Sequence, residues 1–148
     1  MKGDARGAGT TFTMSRSFID TNVIAYAADD RDPAKRATAR AVLATREDQL
    51  VVSTQVLSEF YVVATKKLGI SSVDAAGLVQ GLTELEVVVH TSELVLRAIG
   101  TSESTHVSFW DALIIEAAAH AGCDTLVTED LQDGWQVRGL TVVNPFAA

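Results

Sequence analysis

Ser108-Phe109-Trp110-Asp111-Ala112-Leu113-Ile114-Ile115-Glu116-Ala117-Ala118-Ala119-His120-Ala121-Gly122-Cys123-Asp124-Thr125-Leu126-Val127-Thr128-Glu129-Asp130 is the stretch whose reading decides the fold. Ser108 stands three residues ahead of Asp111, an acidic variant of the capping box, and opens a helix. Ala112, Leu113, Ile115, Ala118 and Ala119 carry that helix to Gly122, where a glycine stop is expected. Asp124 to Thr128 then reads as a short buried strand, with Asp130 just past its end. A helix that hands the chain to a short apolar strand is the unit of an α/β fold built on a parallel sheet.

The same alternation extends outward in both directions. Ser17-Phe18-Ile19, Leu50-Val51-Val52, Val87-Val88-Val89 and Leu140 to Val143 read as further strands. Between them lie helices: Val23 to Ala28, then Asp32-Pro33 to Thr45 with Asp as cap and Pro at the first helical position. Thr54 is expected to cap a helix to Leu68 that Gly69 ends, and Ser72 opens another to Leu82. Glu93 to Gly100 completes the set. The expected architecture is α/β, a mainly parallel sheet of about five strands with helices on both faces.

Length and composition fit one domain: 148 residues, 47% hydrophobic and 21% charged. Residues 1–14, rich in Gly, Ala and Thr, read as a flexible leader, with Met14 an alternative start, and 15–148 as the domain. The single cysteine, Cys123, excludes an internal disulfide framework and reads as a small buried residue. With no signal-like segment this points to a reducing cytosol, and no apolar run is long enough for a membrane. The formal net charge of −7 argues against a general, whole-surface nucleic-acid binder. It leaves room for a nuclease whose metal mediates between acidic site and phosphate, and it suits a basic protein partner.

Four acids are candidates for one site. Asp20 directly follows Phe18-Ile19, and Asp130 follows Leu126-Val127-Thr128. Ligand sites in open α/β sheets form beyond the carboxyl ends of the strands, so the two meet if the first and fourth strands are neighbours. Glu59 and Asp111 lie early on helices, embedded among apolar residues where a lone charge is costly. Each has an ordinary alternative: Asp20 as a helix cap, Glu59 as a solvated helix residue, Asp111 as a helix N-terminal acid, Asp130 as a turn residue before Gly134. Jointly they call for a cation, and all-oxygen donors suit Mg²⁺ or Mn²⁺.

These residues resemble those of PIN-domain ribonucleases, in particular VapC-type toxins of type II toxin–antitoxin systems. The resemblance runs from Ser15 to Pro145. It rests on Phe18-Ile19-Asp20-Thr21-Asn22-Val23, on Ser58-Glu59-Phe60, and on the long block from Phe109 to Leu131. It implies a PIN-like α/β/α sandwich, Mg²⁺- or Mn²⁺-dependent cleavage of RNA, often tRNA or ribosomal RNA, a cognate antitoxin that occupies the site, and a homodimer. Catalytic roles carry onto Asp20, Glu59, Asp111 and Asp130, with Asp20, Asp111 and Asp130 as metal ligands. Asn22 and Thr128 match supporting polar positions.

The alternative is a non-catalytic PIN-fold binding module, which the full acidic set disfavours. A phosphoacceptor receiver domain would want paired acids at the first strand and a lysine after a late strand; no lysine follows Lys67. His90, His106 and His120 show no ligand spacing and read as surface or loop residues. Trp110 reads as a core or interface aromatic before a base-stacking one. Lys35, Arg36, Arg40, Lys66 and Lys67 read as solvated faces and as the best candidates for phosphate contacts.

Overall fold

The computed structural model describes residues 15–45 and 49–147; the leader expected over residues 1–14 lies outside them. In chain order the elements are β1 (Ser17–Ile19), α1 (Thr21–Ala27), α2 (Pro33–Leu43), β2 (Leu50–Ser53), α3 (Thr54–Lys66), α4 (Ser72–Leu82), β3 (Glu86–Val88), α5 (Ser92–Thr105), α6 (Phe109–His120), β4 (Thr125–Val127), β5 (Gln136–Val137) and β6 (Leu140–Val143). The strands form one sheet in the order β3-β2-β1-β4-β6-β5. All neighbours are parallel except the antiparallel pair β5 and β6.

The order places the site. From β1 the chain steps outward to β2 and β3, then returns to the other side of β1 with β4. The sheet therefore reverses direction between β1 and β4, and a crevice opens beyond their carboxyl ends. Phe18 registers with Leu126 and Ile19 with Val127, and the Asp20 amide donates to the Val127 carbonyl at 3.0 Å. The adjacency that the two acidic strand ends require is thus present.

The strands that flank the crevice are buried on both faces, as parallel sheets demand. Phe18, Val51, Val52 and Leu126 have no exposed surface, and Val56, Phe60 and Ile115 pack onto them from α3 and α6. Ala98 of α5 packs with Ala112 and Leu113 of α6 in a smaller cluster, where small residues let the two helices approach. Cys123 is buried, as expected, and burial pushes its thiol up to about 11.

Several boundaries differ from the sequence reading. Ser53, not Thr54, caps α3, accepting from the Val56 amide, while α4 opens at Ser72 as expected and is capped by Ser71 through the Asp74 amide. Serine one position earlier reaches the amide three residues on, which is the capping geometry. Helix α1 starts at Thr21, earlier than Val23, because Asp20 caps it. Strand β3 starts at Glu86 and leaves Val89 exposed. Helix α5 runs straight through Gly100 and ends where His106 takes the left-handed conformation (φ 67°). Strand β5 was not expected. Its hairpin turns on Arg138 (φ 53°) and Gly139 (φ 79°), the pair of positive angles that a two-residue hairpin needs.

Val56 is core, while the exposed apolar residues of α3 and α4 are Tyr61, Val62, Val73 and Leu78. Among the described residues no helix is long and apolar enough to cross a membrane.

Candidate active site

Asp20 is held where β1 becomes α1. One carboxylate oxygen accepts from the Thr21 amide at 2.7 Å, so the helix-cap reading holds as far as it goes. The other accepts from the Thr128 hydroxyl at 2.8 Å and more weakly from the Asn22 amide at 3.4 Å. Asp20 is 5% exposed. Burial pushes its carboxyl up to about 6; the bonds from Thr128 and Thr21 oppose the rise, and the charges of Asp130 and Glu59 add to it. A carboxylate raised mainly by burial, with two neighbouring negative charges adding to the rise, is in a place that favours a proton or a cation.

Asn22 and Thr128 join the two strand ends. The Asn22 side-chain amide donates to the Asp130 carboxylate at 3.1 Å and to Thr128 Oγ1 at 3.2 Å, while its carbonyl oxygen accepts from the Glu129 amide at 3.2 Å. Thr128 Oγ1 also accepts from the Asp130 amide at 3.0 Å. Thr128 has no exposed surface. The hydroxyl of Thr128 and the amide of Asn22 therefore fix Asp20 and Asp130 relative to each other.

Glu59 reaches the same place from α3. It accepts from the Thr21 hydroxyl at 3.0 Å and from the Gln55 amide at 3.2 Å. Asp111 arrives on the first turn of α6, whose start Ser108 caps at 3.1 Å as the sequence implied. Burial raises the Asp111 carboxyl, Ser108 lowers it, and the charges of Asp130 and Glu59 raise it further. All four predicted acids thus converge: Asp20, Glu59 and Asp130 through shared hydrogen bonds, Asp111 through its field.

A crevice of about 310 Å³ opens on this cluster, with Thr21, Asn22, Glu59 and Asp130 in its walls and Arg31 and Lys67 also lining it. The donor set is all oxygen, which fits a hard divalent ion. Among the described residues no three acidic, histidine or cysteine side chains are already gathered closely enough to grip an ion, so the charge field rather than a closed cage marks the place.

The basic residues divide. Lys35 is spent on the Tyr26 hydroxyl (3.1 Å) and Glu129 (3.2 Å), Arg36 pairs with Asp30, and Arg40 donates to the Ala27 carbonyl at 2.9 Å. Of the cations expected to meet phosphate, Lys67 is the one that lines the crevice. Trp110 is 61% exposed, which leaves the interface reading over the core one, and His90 lies in a loop as expected, half-buried beside Glu59, burial lowering its pKa and the glutamate opposing that. Thr21 and Gln55, the donors to Glu59, were not expected as site residues, although Thr21 stands in the motif around Asp20 and Gln55 is spaced i, i+4 from Glu59 on a helix.

A profile of the PIN domain family matches residues 17–132. No curated protein matches the chain in sequence. Among solved structures, a toxin–antitoxin complex from Klebsiella pneumoniae is similar at 19% identity and TM-score 0.69, with 89% of this chain and 99% of that chain covered. The sarcin-ricin loop cleaving toxin VapC20 of Mycobacterium tuberculosis is similar at 22% identity and TM-score 0.64, covering 74% of this chain and 86% of that one. DNA-bound VapBC from Salmonella typhimurium is similar at 18% identity and TM-score 0.64, covering 87% and 97%. These likenesses show the fold, and the profile match, which spans most of the chain, places it in the PIN domain family.

Proposed function

We propose that this chain is a Mg²⁺- or Mn²⁺-dependent endoribonuclease and the toxin of a type II toxin–antitoxin pair. One observation carries the reading: Glu59 and Asp130 line one acidic crevice, and their charges help to raise the carboxyls of both Asp20 and Asp111. Such repulsion is retained at a cost unless a cation offsets it.

Asp20, Asp111 and Asp130 would hold the ion. Bound there, it would lower the pKa of water and neutralise charge on a phosphodiester. The chain's own residues do the rest. Thr128 and Asn22 keep Asp20 and Asp130 oriented, and Thr21 and Gln55 hold the Glu59 carboxylate toward the cluster, where it can orient an attacking water. Lys67 offers a positive charge to a neighbouring phosphate.

The similar structures named as toxin–antitoxin complexes support a cognate antitoxin as partner. An antitoxin side chain bearing guanidinium or ammonium would fit the acidic crevice, since guanidinium pairs bidentately with carboxylate. The structure named as a sarcin-ricin loop cleaving toxin supports structured RNA as substrate. The decisive experiment is cleavage of RNA by purified protein with Mg²⁺ or Mn²⁺ and again with EDTA. Metal-supported cleavage that EDTA and Asp20→Asn both abolish is expected; undiminished cleavage in EDTA, with contaminating nuclease excluded, would overturn it.

A further inference from the structure

Glu59 stands in the walls of two cavities. One is the acidic crevice; the other, about 490 Å³, is lined by Gln55, Glu59, His90, Trp110 and Leu113 among others. A strand whose phosphate reaches the acids therefore has the second cavity next to it. Its volume lies in the range of sites that enclose small organic groups, about 300–1,000 Å³.

Two features give this cavity a chemistry. The first is the indole of Trp110, the most exposed aromatic side chain near the site at 61%. It is not loose. Its ring stands edge-to-face with Phe109 at 5.2 Å, and its carbonyl accepts from the Gln55 amide at 3.3 Å. The second is a pair of buried polar atoms with no hydrogen-bond partner, Gln55 Oε1 and His90 Nε2. The Gln55 amide is oriented by its nitrogen, which serves both Glu59 and Trp110, so its oxygen is the atom left over. Buried polar atoms left unpaired are rare and costly, and here both belong to side chains that line one cavity.

A flat apolar face beside an unused acceptor and an unused ring nitrogen complements a nucleobase, which stacks through its face and bonds through its edge. We infer that this cavity is a nucleobase subsite: Trp110 stacks on a base adjacent to the phosphate at the acids, and Gln55 Oε1 with His90 Nε2 reads that base's edge. An acceptor at Gln55 favours bases with an exocyclic amino group over uracil. The inference rests on the ribonuclease reading and adds a specificity element to it.

Binding reads the subsite without the reaction. Short rA, rC and rU homopolymers, fluorescently labelled, are titrated into the full chain in EDTA, with Trp110→Phe as the emission control. We expect rA and rC to quench Trp110 emission more than rU. Trp110→Ala should weaken rA binding about tenfold, Trp110→Phe should stay near the parent, and His90→Ala should flatten the preference. Absent quenching, or parent affinity of Trp110→Ala for every oligomer, overturns the subsite and leaves the indole to a protein partner. Cleavage of total RNA with Mg²⁺ is read separately. Cleavage by Trp110→Ala at the parent's positions and KM sinks the subsite and spares the ribonuclease; quenching without cleavage by the parent does the reverse.

Discussion

Thr128 Oγ1 donates to the Asp20 carboxylate over 2.8 Å, joining residues 108 positions apart in sequence. The same oxygen accepts from the Asp130 amide and the Asn22 side chain, so one buried hydroxyl serves three groups at the strand ends. Thr128→Val keeps the shape and removes all three bonds. It should cost about 1–3 kcal/mol in stability, because the orphaned partners stay buried. Cleavage should fall roughly 10–100-fold, the usual effect of losing a group that orients a metal ligand. Thr128→Ser should restore most of both. Urea unfolding midpoints and Mn²⁺-supported cleavage of the three proteins check this; parent activity in Thr128→Val would remove Thr128 from the site.

Glu116 lies on α6, far from the crevice acids in role, and is 1% exposed. Burial raises its carboxyl, but the fork of Arg138 (2.9 and 3.1 Å), the Thr101 hydroxyl (2.6 Å) and the charge of Arg97 outweigh that, and its pKa is lowered overall. A lowered folded pKa contributes stability above the unfolded value that is lost as pH falls through the folded one. Glu116→Gln should therefore destabilise by about 2 kcal/mol at neutral pH, less than a fully buried pair because Arg138 is half-exposed. The loss relative to the parent should shrink in acid. Melting curves at neutral and acid pH test it, and a parent-like melt at neutral pH would show the cluster to be stabilising nothing.

The exposed apolar residues Tyr61 and Val62 of α3 line a groove between α3 and α4 that Leu57 and Val79 also line. Burial of such a surface between two copies is the expected basis of a homodimer. Val62→Glu places a charge there without touching the core. Light scattering should give a dimer for the parent and a monomer for the variant, with melting temperature little changed at low concentration. A monomeric parent at high micromolar concentration would count against dimerisation.

Much of this was legible because it is local. Asp32 and Ser108 announce their helices, and Asp20 directly follows Phe18-Ile19 while Asp130 comes shortly after Leu126-Val127, so these two strand ends and their chemistry could be read together. The neighbouring of β1 and β4 was a condition in sequence and a fact only in three dimensions. The β5–β6 hairpin was not legible: Arg138 carries no turn signal, and its left-handed backbone accompanies the ion pair to Glu116, 22 residues away. Gly100 misled because tertiary packing of Ala98 against α6 continues the helix through a residue that usually ends one. The cavity that His90 and Trp110 share was not legible either: Gln55 and Glu59 complete its lining, and no spacing rule connects them to that pair.

The raised pKa of Asp20 has a definite sign. Its folded value, about 6, lies above the ordinary 3.8, so the folded state binds a proton more readily than the unfolded one. Stability of the metal-free protein should therefore fall as pH rises from about 4 to about 6, by roughly 3 kcal/mol if Asp20 acts alone. Asp111 shifts in the same direction and adds to the trend. Metal binding should show the opposite preference, weakening as pH drops through about 6, since a protonated carboxyl is a poor ligand. Calorimetric titration with Mn²⁺ at pH 5 and 7.5, beside EDTA melts at the same values, separates the two. Equal Mn²⁺ affinity at both would exclude Asp20 as a ligand.

Asp111 tests the balance between stability and activity at the site. Its amide is capped by Ser108, and its carboxyl is raised by burial and by the charges of Asp130 and Glu59. Asp111→Asn removes one negative charge at nearly constant volume while the Ser108 cap of the backbone remains. In EDTA the variant should melt at or above the parent temperature, because a repulsive charge has gone. With Mn²⁺ at about a hundred times its Kd the parent should gain about 2.7 kcal/mol by linkage, and the variant much less. Cleavage by the variant should be abolished or crippled. Melting curves of both proteins with EDTA and with Mn²⁺ separate the alternatives. A variant that melts several degrees below the parent in EDTA would make Asp111 a structural acid of the helix start. Equal gains from Mn²⁺ would show that Asp111 binds no metal. A neutral or stabilised variant that has lost both the metal response and the cleavage is the outcome its place in the cluster requires.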